Sequence, residues 1–137
     1  MSKPSSGDVW HYDYLWRWQR DRGETEGRKS RPITFIAVVT DTAGTTDLFI
    51  LPITSAPPGP ERLAVEVPQI ERRRAGLGDK PLWIMLDEYN YDRLETSFYF
   101  EPAGRIGRFS GAFHQKTLRA FVSAARERRT KRVSRTE

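Results

Sequence analysis

Arg31-Pro32-Ile33-Thr34-Phe35-Ile36-Ala37-Val38-Val39-Thr40 leads through Asp41-Thr42-Ala43-Gly44-Thr45-Thr46 into Asp47-Leu48-Phe49-Ile50-Leu51-Pro52-Ile53-Thr54, and this stretch decides the fold. Ile33 to Thr40 is apolar on both alternations and rich in β-branched residues, the pattern of a strand covered on both faces. Asp41 to Thr46 is a turn, and Asp47 to Thr54 is the return strand of a hairpin. Pro52 falls near the end of that strand, where a missing amide hydrogen is tolerated. The residue before a proline is held extended, so Arg31 is restrained where the chain enters the sheet.

Upstream, Trp10, Tyr12, Tyr14, Trp16 and Trp18 occupy every even position of Val9 to Trp18. Period two is strand periodicity, and aromatic residues favour strands. Trp10 and Tyr12 read as core. Trp16 and Trp18 fit equally a core or an outward platform for stacking bases. Arg20 to Ser30 is a charged loop with two glycines.

Downstream, Ala56-Pro57-Pro58-Gly59-Pro60 stops regular structure. Leu63 to Val67 reads as a short strand, Ile70 to Gly78 as a basic turn or short helix, and Leu82 to Leu86 as another strand ending at Asp87-Glu88-Tyr89-Asn90. Phe98-Tyr99-Phe100 is a candidate strand, and the segment through Gly104 and Gly107 a turn. From Ser110, Phe113, Thr117, Leu118, Phe121, Val122 and Ala125 recur at helical spacing, with Ser110 as N-cap. Several short strands with one terminal helix predict a small, strongly bent, mainly β (α+β) domain, a barrel-like sheet of five to seven strands.

The 137 residues are enough for one domain, and residues 1–125 are expected to form it. Six basic residues, Arg126, Arg128, Arg129, Lys131, Arg132 and Arg135, face only Glu127 and Glu137 in the last stretch. The net charge of +5 is therefore largely a property of residues 126–137, expected as a flexible basic tail. There is no cysteine and there are only two histidines, His11 and His114, which argues against disulfides and against a zinc site. No apolar run approaches the length of a membrane span and no secretion signal is visible, so a cytoplasmic location is expected.

Three groups can carry chemistry. Arg31, fixed at a strand mouth, can hold a phosphate through paired hydrogen bonds and stabilise developing charge. As an ordinary surface arginine it would instead cover apolar atoms. Thr54 and Ser55 end the return strand, where hydroxyls either bind a phosphate oxygen or begin a turn. Asp87 can accept a proton from a ribose hydroxyl, or be a solvated strand end. Arg28 and Lys29 in the charged loop, Ser55, Trp16 and Trp18 are the candidate substrate-binding residues. Phosphate-loop and dinucleotide fingerprints are missing.

The order Gly7-Asp8-Val9-Trp10, Arg31-Pro32 with its apolar strand, Leu51-Pro52-Ile53-Thr54-Ser55, a strand into Asp87, and Arg105-Ile106-Gly107-Arg108-Phe109-Ser110 opening the last helix resembles the MazF/PemK family of toxin–antitoxin toxins. The resemblance implies an SH3-like barrel with a C-terminal helix, usually a homodimer. It implies cleavage of single-stranded RNA without metal or other cofactor, leaving a 2',3'-cyclic phosphate and a 5'-hydroxyl. Arg31 would act at the phosphate, Thr54 would bind it with help from Ser55, and Asp87 would be the base candidate. The partner would be an antitoxin with an acidic, otherwise disordered segment. The loop from Gly27 to Arg31, the Glu88-Tyr89-Asn90 segment and the expanded stretch from Tyr91 to Gly104 depart from the family pattern. Two other readings stay open: a non-catalytic SH3-like module that binds protein or nucleic acid, and a toxin that inhibits a protein target such as a topoisomerase.

Overall fold

The computed structural model describes residues 3–27 and 29–136. Eight strands and three α-helices follow in the order β1 (Asp8–Tyr12), α1 (Arg17–Asp21), β2 (Arg31–Thr40), β3 (Thr46–Thr54), β4 (Ala64–Glu66), α2 (Gln69–Arg74), β5 (Trp83–Met85), β6 (Glu88–Arg93), β7 (Arg105–Arg108), α3 (Gly111–Arg126) and β8 (Lys131–Ser134). The main path of the sheet runs β4-β5-β3-β2-β1-β7, with β6 joined to β3 and β8 to β6. All pairings are antiparallel except β6 with β8. The protein is thus a mainly antiparallel β structure with a helix near its C-terminal end. Among the described residues no helix is long and apolar enough to cross a membrane.

The β2–β3 hairpin forms as expected and lies at the centre. Its fully buried residues split by strand alternation. Ile33, Phe35, Leu48 and Ile50 join Trp10, Tyr12 and Tyr14 in one apolar cluster. Ile36, Leu51 and Ile53 join Val9, Ile84, Phe109 and Phe113 in another. β3 serves three neighbours: β2 on one side, then β6 along Asp47–Ile50 and β5 at Ile53–Thr54 on the other. That branching divides the sheet at β3.

Expectations at four places along the chain are corrected. The aromatic strand ends at Tyr12 rather than Trp18. Asn90 then holds the chain in place of a strand partner: its Oδ1 accepts from Leu15 N (2.9 Å) and its Nδ2 donates to Leu15 O (2.8 Å). The chain next turns into α1, whose start is tied by Trp16 N donating to Gln19 Oε1 at 2.9 Å.

Second, Glu88 to Arg93 is a strand and not a strand end. Its inward residues Glu88, Asn90 and Asp92 are polar and buried, each satisfied by the segment from Tyr12 to Arg17. Its outward tyrosines, Tyr89 and Tyr91, pack beside Phe49.

Third, Phe98-Tyr99-Phe100 forms no strand; Phe100 instead plugs the core against Trp10 and Phe35. Arg105–Arg108, expected as a turn, is the strand β7.

Fourth, the basic stretch after residue 125 is not a tail apart from the domain. Residue 126 still belongs to α3, and Lys131–Ser134 is β8, lying parallel to β6. Its cations are seated on rings: Arg132 lies 4.6 Å from the Tyr91 ring centroid and Arg135 3.6 Å from that of Tyr99. The buried Arg135 also donates to Thr25 O (2.7 Å) and Asp13 O (3.1 Å).

The last helix starts where expected. Ser110 Oγ accepts from Phe113 N at 3.2 Å. Glu71 of α2 in turn accepts from both Ser110 N (2.8 Å) and Ser110 Oγ (2.7 Å), so the two helices are joined at one carboxylate.

Candidate nucleic-acid site

At the mouth of the central hairpin, Ile33 pairs with Pro52. That is the last pair of the ladder: beyond it Arg31 pairs with Tyr12 of β1 and Thr54 with Trp83 of β5. Trp16 links the two residues singled out from sequence, since it lies under Arg31 and lines the same cavity as Thr54.

The guanidinium carbon of Arg31 lies 5.1 Å from the Trp16 ring centroid, within range of a cation–π contact. Its Nε is buried without a hydrogen-bond partner. Burial pulls the guanidinium's pKa down, countered in part by Tyr14. Orphaned buried donors are rare in native proteins. Among the described residues the Nε atoms of Arg72 and Arg135 and the Thr130 hydroxyl are orphaned in the same way.

Thr54 is half-buried, and its Oγ1 accepts from Ala56 N at 3.1 Å. The hydroxyl hydrogen remains to be donated. Ser55 beside it is exposed. A cavity of 280 Å³ opens over Thr54, lined by Trp16, Trp18, Pro58, Glu61, Arg62 and Met85 among others. Trp18, on α1, is 46% exposed and carries the Arg22 guanidinium at 5.3 Å. These two tryptophans leave the strand pattern because α1 begins between them, and they then form one wall of the cavity.

A second cavity of 340 Å³ shares Trp18, Glu61 and Arg62 with the first and continues to Arg129 and Lys131. Asp87 lines this second cavity and not the first. Its carboxylate is occupied: Arg62 donates from Nε to Oδ2 (2.6 Å) and from Nη2 to Oδ1 (2.8 Å). Arg62 also reaches Glu88 Oε2 at 3.2 Å. Both carboxylate oxygens are engaged in this two-point clamp, so Asp87 orients Arg62.

Glu88 is the hinge between the walls. Its Oε1 accepts from Arg17 N (2.9 Å) and Tyr14 Oη (3.2 Å). Burial raises its pKa, while the bonds from Arg17 and Arg62 lower it less. Burial and the Glu88 charge together hold the Tyr14 phenol well above its ordinary value.

Lys29 is exposed, near the loop's return to β2. Arg28 lies outside the described residues. The loop itself is pressed close to the site: a Cβ on Gly27 would meet Tyr14 O at 2.7 Å and Asp13 O at 2.8 Å. Sequence reasoning missed Arg62, Glu61 and Met85. They follow a proline-rich breaker, and nothing local to them signals that the breaker folds back over the strand ends.

No protein-family model matches the chain, and no curated protein matches it.

Proposed function

We propose that this protein is a metal-independent endoribonuclease that cuts single-stranded RNA, the toxin of a toxin–antitoxin pair. The observation that carries the reading is Arg31: a cation stacked on Trp16, the ring that lines one cavity with the Thr54 hydroxyl. The nucleophile is the substrate's own 2'-hydroxyl. What the protein must supply is orientation and a preorganised donor set for the phosphorane-like transition state. Arg31 donates to the non-bridging oxygens, Thr54 donates to one of them, and Ser55 stands next to it. Trp16 and Trp18 offer ring faces to the flanking bases, a sequence-tolerant way to hold a single strand. Products are a 2',3'-cyclic phosphate and a 5'-hydroxyl. The same reading takes the branched, bent sheet as an SH3-like barrel, the active form as a homodimer and the inhibitor as an acidic antitoxin segment.

The test is cleavage of a long single-stranded RNA in excess EDTA by wild type, Arg31→Ala and Thr54→Ala, each checked for folding. The expected outcome is defined cuts by the wild type and a loss of about 10²- to 10³-fold for Arg31→Ala, the size of one removed oxyanion donor. A folded, antitoxin-free wild type that leaves the RNA intact refutes the reading and favours a binding module. Equal cutting by all three proteins refutes it as well.

A further inference from the structure

Transfer of the 2'-oxygen to phosphorus requires something to take its proton, and Asp87 is held by Arg62. Of the described carboxylates lining the two joined cavities, Asp21 is paired with Arg17 and Arg20, and Asp87 and Glu88 are bound to Arg62. Glu61 stands apart from them: it lines both cavities, and none of the described residues forms a hydrogen bond or ion pair with its carboxylate.

Its position is set from both sides. Arg62 N donates to Gly59 O at 3.0 Å, closing a turn over Gly59–Arg62. Pro60, at the second position of that turn, presets its backbone angle. Arg62, at the fourth, is anchored to Asp87 and Glu88. The Glu61 side chain curls back over Gly59, where an added Cβ would lie 2.8 Å from both carboxylate oxygens. The exposed Glu61 side chain thus springs from a stiff turn that lines the Thr54 cavity, and a side chain at position 59 would push its carboxylate aside.

We propose that Glu61 is the proton acceptor of the cleavage, an assignment that rests on the ribonuclease reading. The Glu61 carboxylate takes the 2'-hydroxyl proton as the 2'-oxygen bonds to phosphorus. The bond from phosphorus to the 5'-oxygen breaks, and the leaving oxygen takes a proton from water. The charged groups facing Glu61 are Arg62 beside it, Arg17 and Asp21 of α1, Asp87 and Glu88 at the foot of β6, and Arg129 and Lys131 at the start of β8. Asp21 is paired with Arg17 and Arg20, and Asp87 and Glu88 with Arg62, which leaves Glu61 as the carboxylate without an ion-pair partner among the described residues that line the two cavities.

The experiment is a pH–rate profile of RNA cleavage for wild type, Glu61→Gln, Gly59→Ala and Asp87→Asn. Affinity is measured in parallel on 2'-deoxy-substituted RNA that cannot be cut. Glu61→Gln is expected to lose about 10²- to 10⁴-fold in rate, the usual contribution of a general base. It should also lose the fall in rate toward acid pH, with affinity unchanged. Gly59→Ala displaces only the tip of a flexible side chain, so it folds and loses part of the rate. Asp87→Asn keeps the acid fall. An active wild type whose Glu61→Gln variant retains both rate and acid fall overturns the proposal and leaves the ribonuclease reading standing. Loss of the acid fall in Asp87→Asn instead returns the role to Asp87. An inactive wild type sinks both.

Discussion

Replacing Asn90 with leucine tests the fold and the placement of the site together. Asn90 is fully buried and satisfies both the N–H and the C=O of Leu15. Leucine matches its size and strands both backbone groups of Leu15, itself 3% exposed. Each stranded group costs about 1–3 kcal/mol, so the substitution should cost about 2–6 kcal/mol. Against a domain stability of about 5–15 kcal/mol, that is a large fraction of the whole. With about 2.1 cal/mol/K of unfolding entropy per residue over this chain, the midpoint of thermal unfolding should drop by roughly 7–20 °C. Equilibrium urea unfolding, followed by circular dichroism and by tryptophan fluorescence, measures it. Trp16 follows Leu15 directly, so loosening the segment also frees the ring beneath Arg31. RNA affinity should therefore fall even under conditions where the variant stays folded. A cost below about 1 kcal/mol with an unchanged denaturant slope would refute the view that Asn90 stands in for a strand.

Two further outcomes follow. Trp18→Ala, at a position 46% exposed, should leave the unfolding curve nearly unmoved while weakening single-stranded RNA binding by about 1–3 kcal/mol, the worth of one stacked base; unchanged affinity would remove Trp18 from the site. Glu88 has its pKa raised in the folded state, chiefly by burial, so the native protein holds its proton more tightly than the unfolded chain. Its contribution is full below the unfolded value and is lost as pH rises through the window up to the raised folded value. Glu88→Gln should therefore gain stability relative to wild type across that window, as read by urea unfolding at a series of pH values. A difference that does not vary with pH would contradict the assignment.

How much was legible in the chain turns on what polarity means at each place. The hairpin could be read because Ile33, Phe35, Ile36, Leu48, Ile50, Leu51 and Ile53 are apolar for the ordinary reason that they are covered. Ser110 was readable because a cap acts locally. β6 was not, because its polarity is inverted. Glu88, Asn90 and Asp92 point inward to serve as bonding partners for the stretch between Tyr12 and Arg17, while tyrosines face out. From sequence such a strand is indistinguishable from a solvated turn. The basic stretch misled for a related reason: Arg132 and Arg135 are seated on aromatic rings that lie far away along the chain. Arg31 and Thr54 sit at the ends of β2 and β3 as expected, and the link between them is Trp16, which leaves the strand pattern just before α1. Asp87 did not come free, because its partner Arg62 is delivered by a loop whose path no local pattern encodes.

The Arg135 contacts also set a timetable for synthesis. The bond from Arg135 to the Asp13 carbonyl spans 122 residues, and β8 is the last strand to be added. Domains generally begin to fold from the N-terminal side while the ribosome is still extending the chain at about 5–20 residues per second. Here the loop that leads into Arg31 is met at Thr25 first by the Tyr99 hydroxyl (3.3 Å), and gains its shorter Arg135 bond (2.7 Å) only after residue 135 has cleared the exit tunnel. A nascent chain can build its central hairpin early, but the Arg135 bonds to Thr25 and Asp13 form only once β8 has been made.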